Sequence, residues 1–242
     1  MPRSPRRRTE SSPEVLYEDN HLLVVNKPAG LPTMGVAEGE PSLLASCKEY
    51  VKRAYNKPGN VYLGVVSRLD APVTGVVLMA RTSKAAARLS EAFRNRDTEK
   101  TYYAVVEGVP EEPEATLEHY LRKDERHRRV HVTTSAAEGA QLARLSYAVA
   151  AEAGGLALLR VTLDTGRKHQ IRVQLAKAGR PIVGDRKYGA SREFEPGIGL
   201  HSRRLRVSHP VRPEACTFVA LLPESWRGSK SLRLLAEAVE AG

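Results

Sequence analysis

Residues 67–75 read Ser-Arg-Leu-Asp-Ala-Pro-Val-Thr-Gly and lead directly into the apolar run Val76–Ala80. Proline, glycine and short polar residues favour a turn, whereas a β-branched apolar run favours a buried strand. Asp70 and Arg68 are two residues apart, so on an extended segment their side chains project to the same face. The stretch predicts a turn that presents one carboxylate beside one guanidinium, between strands at Tyr62–Val66 and Val76–Ala80.

Outward from this turn, apolar periodicity divides the chain into short strands and amphipathic helices. The predicted strands are 15–17, 22–26, 101–107, 116–121, 129–133, 140–150, 156–163, 201–207 and 217–220. The predicted helices are one capped by Ser42 and running to Ala54, one over 84–94 capped by Ser83, one over 168–178 and one over 230–241. Because strands and helices do not alternate strictly, an α+β fold is favoured over a doubly wound parallel fold.

The charge of the chain indicates a polyanionic partner. There are 38 Lys+Arg against 28 Asp+Glu, a formal net charge of +10. Such a field favours nucleic acid, although an inert basic surface gives the same count. Residues 1–13 contain Arg3, Arg6, Arg7 and Arg8 with Ser and Pro but no hydrophobic period, so we expect a disordered basic tail.

The cysteine and apolar content indicate the compartment. Cys47 and Cys216 are too few for a disulfide framework, so the reduced cytoplasm is expected. No stretch approaches the roughly 20 apolar residues of a membrane span, and no apolar signal segment begins the chain. The seven histidines form no metal-ligand spacing, so no metal site is expected.

The carboxylate of Asp70 has several chemical readings. An aspartate on a turn can act as a nucleophile, a general base or a metal ligand, or it can stabilise its own loop. A shielded nucleophile must stay ionised, and a nearby guanidinium favours the charged form. Arg68 is one candidate, and Arg172 in the segment Thr165–Arg172 (T-G-R-K-H-Q-I-R) is the other. His169 and Arg172 share a helix face at this spacing, where Arg172 could equally form a surface ion pair.

Four motifs together resemble the RluA-type pseudouridine synthases, from about Val15 to Trp226. They are V-L-Y-E-D-N-H-L-L-V-V-N-K-P-A-G, R-L-D-A-P-V-T-G-V-V-L-M-A, K-T-Y-Y-A-V-V-E-G and T-G-R-K-H-Q-I-R-V-Q-L-A-K-A-G-R-P-I-V-G-D-R-K-Y-G. The resemblance implies isomerisation of uridine in rRNA or tRNA to pseudouridine, without metal or cofactor. It also implies a mixed, mainly antiparallel central sheet flanked by helices. Relatives often carry an N-terminal domain of the S4 type, but few residues precede the first motif. We therefore expect one catalytic domain over 14–242.

The resemblance assigns roles to particular residues. Asp70 takes the place of the nucleophile, Arg172 of its charge partner, and Tyr102 of the active-site tyrosine that follows a lysine by two positions. Tyr103 is disfavoured because adjacent strand side chains point oppositely, and Tyr102 could instead simply line the core. Arg68 is implied to fill the space left by the flipped base. We further expect Lys100, Arg167 and His169 to contact RNA.

The chain departs from the family pattern at three positions. Ser67 and Gln174 stand where histidine is common, and Val73 stands where threonine is common. These changes put substrate contacts and loop geometry in question rather than the reaction type.

Two sets of basic residues are candidates for contacts with the RNA backbone. One set lies at residues 122–129 and comprises Arg122, Lys123, Arg126, Arg128 and Arg129; a solvated loop is its alternative. The other set surrounds the T-G-R-K-H-Q-I-R motif and would form a track towards Asp70 if it lines one face. It comprises Arg167, Lys168, Arg180, Arg186, Lys187, Arg203, Arg204 and Arg206.

We expect a monomer that binds RNA and neither DNA nor membranes. Two other functions stay open on the sequence: an RNA-folding module that does not need catalysis, and an acid–base enzyme acting on a small nucleoside. The first should keep its effect on RNA structure in Asp70→Asn, and the second should bind its substrate without a steep dependence on salt.

Overall fold

The computed structural model of the chain describes residues 12–240, and its strands form one mixed, mainly antiparallel sheet. The strands are β1 (Glu14–Glu18), β2 (Leu22–Lys27), β3 (Gly64–Val65), β4 (Thr74–Ala80), β5 (Thr98–Glu107), β6 (Glu114–Asp124), β7 (Arg129–Thr133), β8 (Gln141–Ala153), β9 (Leu156–Leu163), β10 (Leu200–Ser208) and β11 (Ala215–Val219). The helices are α1 (Leu43–Ala54), α2 (Ser83–Asn95), α3 (Gln170–Lys177) and α4 (Lys230–Glu240). The predicted α+β fold is confirmed. The first residues of the predicted tail, 1–11, lie outside the described part of the chain.

The sheet runs in the order β1-β2-β4-β10-β5-β9-β8-β6-β7, with β11 paired to β10 and β3 paired to β4. Among the strand pairs of the described residues, β4 and β10 alone run parallel, and Thr74 lies opposite His201. The N-terminal strands thereby join the rest of the sheet at the point where the Asp70 turn ends. None of the helices within residues 12–240 is long and apolar enough to cross a membrane.

Strand β4 is buried along its whole length because helices cover both faces of the sheet there. Val76 and Leu78 pack in a cluster with Leu89 of α2, whereas Val77 and Met79 pack in a cluster that includes the α1 side chains. This two-sided burial explains why the sequence shows a continuous apolar run rather than alternation.

Three predicted boundaries are corrected by the structure. Of the strand predicted at Tyr62–Val66, only β3 forms, and the Tyr62 side chain is 51% exposed. The cap of α2 is Thr82 rather than Ser83, because the Thr82 hydroxyl accepts from the Ala85 amide at 3.2 Å. Helix α3 begins at Gln170 rather than Lys168, because His169 adopts a left-handed conformation with φ of 54°.

The join between β4 and β10 is held by a glycine and a buried histidine. Gly75 has φ of 113°, and a Cβ there would overlap the backbone of Ser202. The His201 ring bonds the Thr74 hydroxyl at 2.8 Å through Nδ1 and the Ala220 carbonyl at 3.2 Å through Nε2. Since the Ala220 carbonyl can only accept, Nε2 carries the ring proton and Nδ1 accepts from Thr74.

Acid should weaken this join through His201. Burial lowers the pKa of His201 to about 4, whereas an unfolded histidine titrates near 6.5. The unfolded state therefore binds a proton first, and stability falls as the pH drops from 6.5 towards 4, by up to about 3 kcal/mol. We expect urea denaturation across this range to show a steeper loss for the wild type than for His201→Gln. Equal slopes would contradict this role.

Candidate active site

Asp70 lies on the turn between β3 and β4, and the loop before α1 clamps this turn. The Thr33 hydroxyl donates to the Leu69 carbonyl at 2.8 Å and accepts from the Leu69 amide at 3.1 Å. The Gly30 amide donates to the Ala71 carbonyl at 2.8 Å. Hydrogen bonds therefore hold the backbone of the residues on either side of Asp70, which fixes the direction of the carboxylate.

Lys27 reinforces this clamp from inside the protein. Its buried ammonium donates to the carbonyls of Pro28 and Leu31 at 2.8 Å and of Ala71 at 3.0 Å. Burial lowers the pKa of Lys27 to about 7, against the opposing effect of the Asp70 charge. Lys27 was quoted within the first motif without a role. The signal that could have found it is a lysine at the end of an apolar strand.

Arg172 joins Asp70 to a second carboxylate. Its Nε and Nη2 donate to Asp185 at 2.7 and 2.8 Å, and its Nη1 donates to Asp70 Oδ2 at 2.9 Å. The side chains of Arg172, Asp185 and Asp70 are 6%, 2% and 25% exposed. Burial acts to lower the pKa of Arg172. Its hydrogen bonds with Asp185 and the negative charges of Asp185 and Asp70 outweigh burial and raise this pKa above its ordinary value. Asp185 thus orients the guanidinium that Asp70 meets, and the sequence analysis missed it.

Arg68, the other candidate, is not the charge partner of Asp70. The Arg68 side chain is exposed and lines the same cleft as Asp70, without a salt bridge to it in the described structure. Of the two candidate partners, Arg172 rather than Arg68 contacts Asp70, because the turn directs the carboxylate inwards. Arg68 remains placed where it can meet a substrate.

His169 faces the other oxygen of Asp70. Its Nε2 lies 3.6 Å from Oδ1 of Asp70. The histidine precedes α3 rather than sharing a helix face with Arg172, which corrects the expectation of a free polar face. Helix α3 is buried from Gln170 to Leu175, and the Gln174 amide donates to the Leu117 and Ala143 carbonyls at 3.0 and 3.2 Å. Gln174, one of the three positions that depart from the family pattern, is therefore a buried side chain that hydrogen-bonds α3 to β6 and β8.

Tyr102 and Tyr103 project to opposite faces of β5. Tyr102 lines the cleft and packs in an apolar cluster with Val73, Ile171 and Leu200, whereas Tyr103 packs against the cluster that contains α4. Burial raises the pKa of Tyr102 to about 12, against the opposing effect of its hydrogen bond with Ser202. Val73 is an apolar member of this cluster, so the missing threonine hydroxyl would have been buried here.

The departure at Ser67 has a backbone role. The Ser67 hydroxyl accepts from the Leu78 amide at 2.8 Å, which ties the start of the turn to β4.

The cleft above Asp70 has a volume of about 830 Å³, and eight Lys and Arg side chains are among the residues that line it. These are Arg68, Arg94, Arg96, Lys100, Lys123, Arg167, Lys168 and Arg172. The structure therefore places Lys100, Arg167 and His169 in the cleft with Asp70 and Tyr102. The sequence analysis missed Arg94 and Arg96, which lie at the end of α2 and carried no motif.

The two predicted basic sets are only partly brought to this cleft. Of the set at residues 122–129, Lys123 lines the cleft; Arg126 and Arg128 lie in the turn of the β6–β7 hairpin, and Arg122 and Arg129 lie on its strands. Of the set around the T-G-R-K-H-Q-I-R motif, Arg167 and Lys168 line the cleft. Arg203 donates instead to the Ala220 carbonyl, and Arg206 pairs with Glu99 at 2.8 Å. The condition for a track, that this set lines one face, is therefore not met, because neighbouring backbone and carboxylates hold Arg203 and Arg206 elsewhere.

The sheet and this arginine-paired carboxylate in a basic cleft define a class of RNA-modifying enzyme. Residues 21–177 match the sequence model of the family described as RNA pseudouridylate synthase. The chain belongs to this family and is an RNA pseudouridine synthase, an isomerase.

Relatives and solved structures agree with this membership. The chain is 34% identical to ribosomal large subunit pseudouridine synthase D of Xylella fastidiosa, over 90% of this chain and 70% of that protein. It is 30% identical to tRNA pseudouridine synthase C of Yersinia pestis, over 90% of each chain. The structure of human RNA pseudouridylate synthase domain containing 4 superposes with a TM-score of 0.73 at 25% identity, covering 94% of this chain and 92% of that one.

Proposed function

We propose that this protein converts specific uridines of ribosomal or transfer RNA to pseudouridine, with Asp70 as the nucleophile. The observation that carries the proposal is the Asp70 carboxylate in a basic cleft, bound by Arg172 at 2.9 Å. The named targets of the two relatives above support these two classes of RNA.

The reaction is an isomerisation, and its atoms balance without a second substrate. The bond from C1′ of the ribose to N1 of uracil breaks, the base turns, and a bond from C1′ to C5 forms. The proton leaves C5 and N1 gains one. Asp70 attacks C1′ directly, or acts on the base or a glycal intermediate, and in each route the carboxylate is the one that Arg172 binds.

Tyr102 is proposed to contact the base through its ring rather than to remove a proton. Its pKa of about 12 makes the hydroxyl a weak acid, so little phenolate is present at neutral pH. Its place in the apolar cluster beside the cleft offers a flat surface on which a flipped uracil can stack.

Arg68 is proposed to occupy the gap that the flipped nucleotide leaves. Enzymes that act on a base must take it out of the stack, at a cost of a few kcal/mol. A planar, exposed guanidinium on the turn next to Asp70 can stack in the gap and contact phosphate. Lys100, Arg167 and His169, with the remaining basic lining, would position the RNA backbone without reading its sequence.

The test is to map pseudouridine in ribosomal and transfer RNA from cells with and without this protein, and in the same RNAs after incubation with purified protein. We expect at least one uridine to be modified only where the protein is present. No protein-dependent pseudouridine in either class of RNA would overturn the proposal.

Arg94 and Arg96 should contribute to RNA affinity through charge. Both line the cleft that contains Asp70. We expect replacement of both by alanine to weaken RNA binding about tenfold at moderate salt and to reduce the slope of log affinity against log salt by about 1.5. Arg233→Ala on α4, outside the cleft lining, is the matched control. An unchanged salt slope in the double variant would contradict the assignment.

A further inference from the structure

Tyr188 lies behind the active site, in the 3₁₀ turn Arg186–Tyr188, and is not part of the cleft lining. Its hydroxyl has two partners: Nδ1 of His169 at 2.7 Å and the Val130 amide at 3.0 Å. Its ring packs edge-on against the His169 ring, with centroids 5.7 Å apart, and lies under the Arg172 guanidinium. One tyrosine thus contacts the two residues that face Asp70.

The direction of these hydrogen bonds follows from what each group can do. The Val130 amide can only donate, so the tyrosine oxygen accepts from it. Burial raises the pKa of Tyr188, which keeps the hydroxyl protonated. Its single proton is then directed to Nδ1 of His169, and a neutral His169 must carry its own proton on Nε2.

The neutral form of His169 is favoured by its surroundings. Burial lowers the pKa of His169 to about 4, and the charges of Arg172, Lys187 and Lys168 act in the same direction, against Asp70. The left-handed backbone, with φ of 54°, turns the Nε2 edge of the ring towards Oδ1 of Asp70 at 3.6 Å.

We propose that Tyr188 is a positioning residue that holds His169 in the tautomer presenting Nε2–H to Asp70. Arg172 donates to Oδ2, and Nε2 of His169 lies 3.6 Å from Oδ1, so the two side chains flank the carboxylate in the cleft. The same hydroxyl ties His169 to the backbone of the β6–β7 hairpin. The catalytic part of this inference rests on the proposed role of Asp70, whereas the tautomer does not.

The test combines nitrogen NMR on ¹⁵N-histidine-labelled protein with single-turnover kinetics. The His169 signals are assigned by their loss in His169→Gln. At pH 6, where an ordinary histidine is largely charged, we expect wild-type His169 to be neutral with its proton on Nε2. Tyr188→Phe keeps the ring and its packing but removes the hydroxyl, so we expect loss of this tautomer preference. In the same variant we expect the single-turnover step to be about tenfold slower, with RNA affinity unchanged.

Tyr50→Phe is the matched control, because it removes a hydroxyl that bonds Glu18 at 2.8 Å away from the cleft. It should change neither the His169 signals nor the rate. A wild-type His169 that is charged at pH 6 or protonated on Nδ1 overturns the proposal. So does a Tyr188→Phe protein that keeps either the wild-type tautomer or the wild-type rate. Failure of the Asp70 assignment would show separately, as turnover by Asp70→Asn with the NMR result intact.

Discussion

Asp70→Asn is expected to abolish pseudouridine formation while leaving RNA binding within about twofold of the wild type. The amide has nearly the shape of the carboxylate, so the bonds that clamp Leu69 and Ala71 are retained. It carries no charge and is a very poor nucleophile, so we expect a loss of at least about 10⁴-fold in the rate constant. The measurement is single-turnover pseudouridine formation on a modified RNA identified by mapping, with RNA affinity measured on the same sample.

The matched control for this variant is Asp164→Asn. Asp164 also lines the cleft, but it pairs with Arg144 at 3.1 Å in a half-exposed position rather than with Arg172. Such a pair contributes little, so we expect near-normal turnover. Pseudouridine formed at the wild-type rate by Asp70→Asn would refute the nucleophile assignment. If instead Asp70→Asn lost turnover but kept a cellular RNA-folding phenotype, this would identify an additional role that does not need catalysis.

Arg172→Met is expected to lower both stability and turnover. Both oxygens of Asp185 accept hydrogen bonds from Arg172. Removal of the guanidinium therefore leaves a buried carboxylate without its partner, which typically costs about 3–5 kcal/mol of unfolding free energy. Asp70 loses its charge partner in the same step, so the folded fraction should turn over at least about 100-fold more slowly. Urea denaturation and single-turnover rates measure the two effects.

A double variant separates these effects. Arg172→Met with Asp185→Leu removes the buried charge as well as its partner, so we expect it to recover most of the lost stability. It should not recover turnover, since Asp70 still lacks the guanidinium. Recovery of turnover together with stability would reduce Arg172 to a structural role. Arg81→Met, which breaks the largely buried pair with Glu18 away from the cleft, should lower stability and leave the turnover of folded protein unchanged.

The local features of the fold could be predicted where a short segment carries its own signal. Helix α1 ends at the predicted residue, and its Ser42 hydroxyl accepts from Ala45 as a cap should. Strands β7 and β9 have the predicted bounds. Tyr102 and Tyr103 separate to opposite faces because alternation along a strand is a local property.

Features that depend on distant residues could not be predicted from local pattern. Helix α3 starts two residues later than predicted because His169 adopts a left-handed conformation between Asp70 and Tyr188, which lie far away in sequence. Local spacing left Arg68 and Arg172 both open as partners of Asp70, and it was the family resemblance that pointed to Arg172. Asp185 gave a weak signal, a lone carboxylate after the apolar residues Ile182 and Val183, and its bond to Arg172 depends on how the chain returns after α3.

The sequence by itself determined the class of fold, the family and the residue types of the site. Those depend on periodicity, turn chemistry and motifs that are read along the chain. Only the tertiary structure decided that Asp185 and Tyr188 support the partnership of Asp70 with Arg172, and which basic residues line the cleft. Hydrogen bonds and ion pairs act over a few ångströms in space, whereas the strand pairing that brings residues 70, 172 and 185 within that range joins parts of the chain more than 100 residues apart.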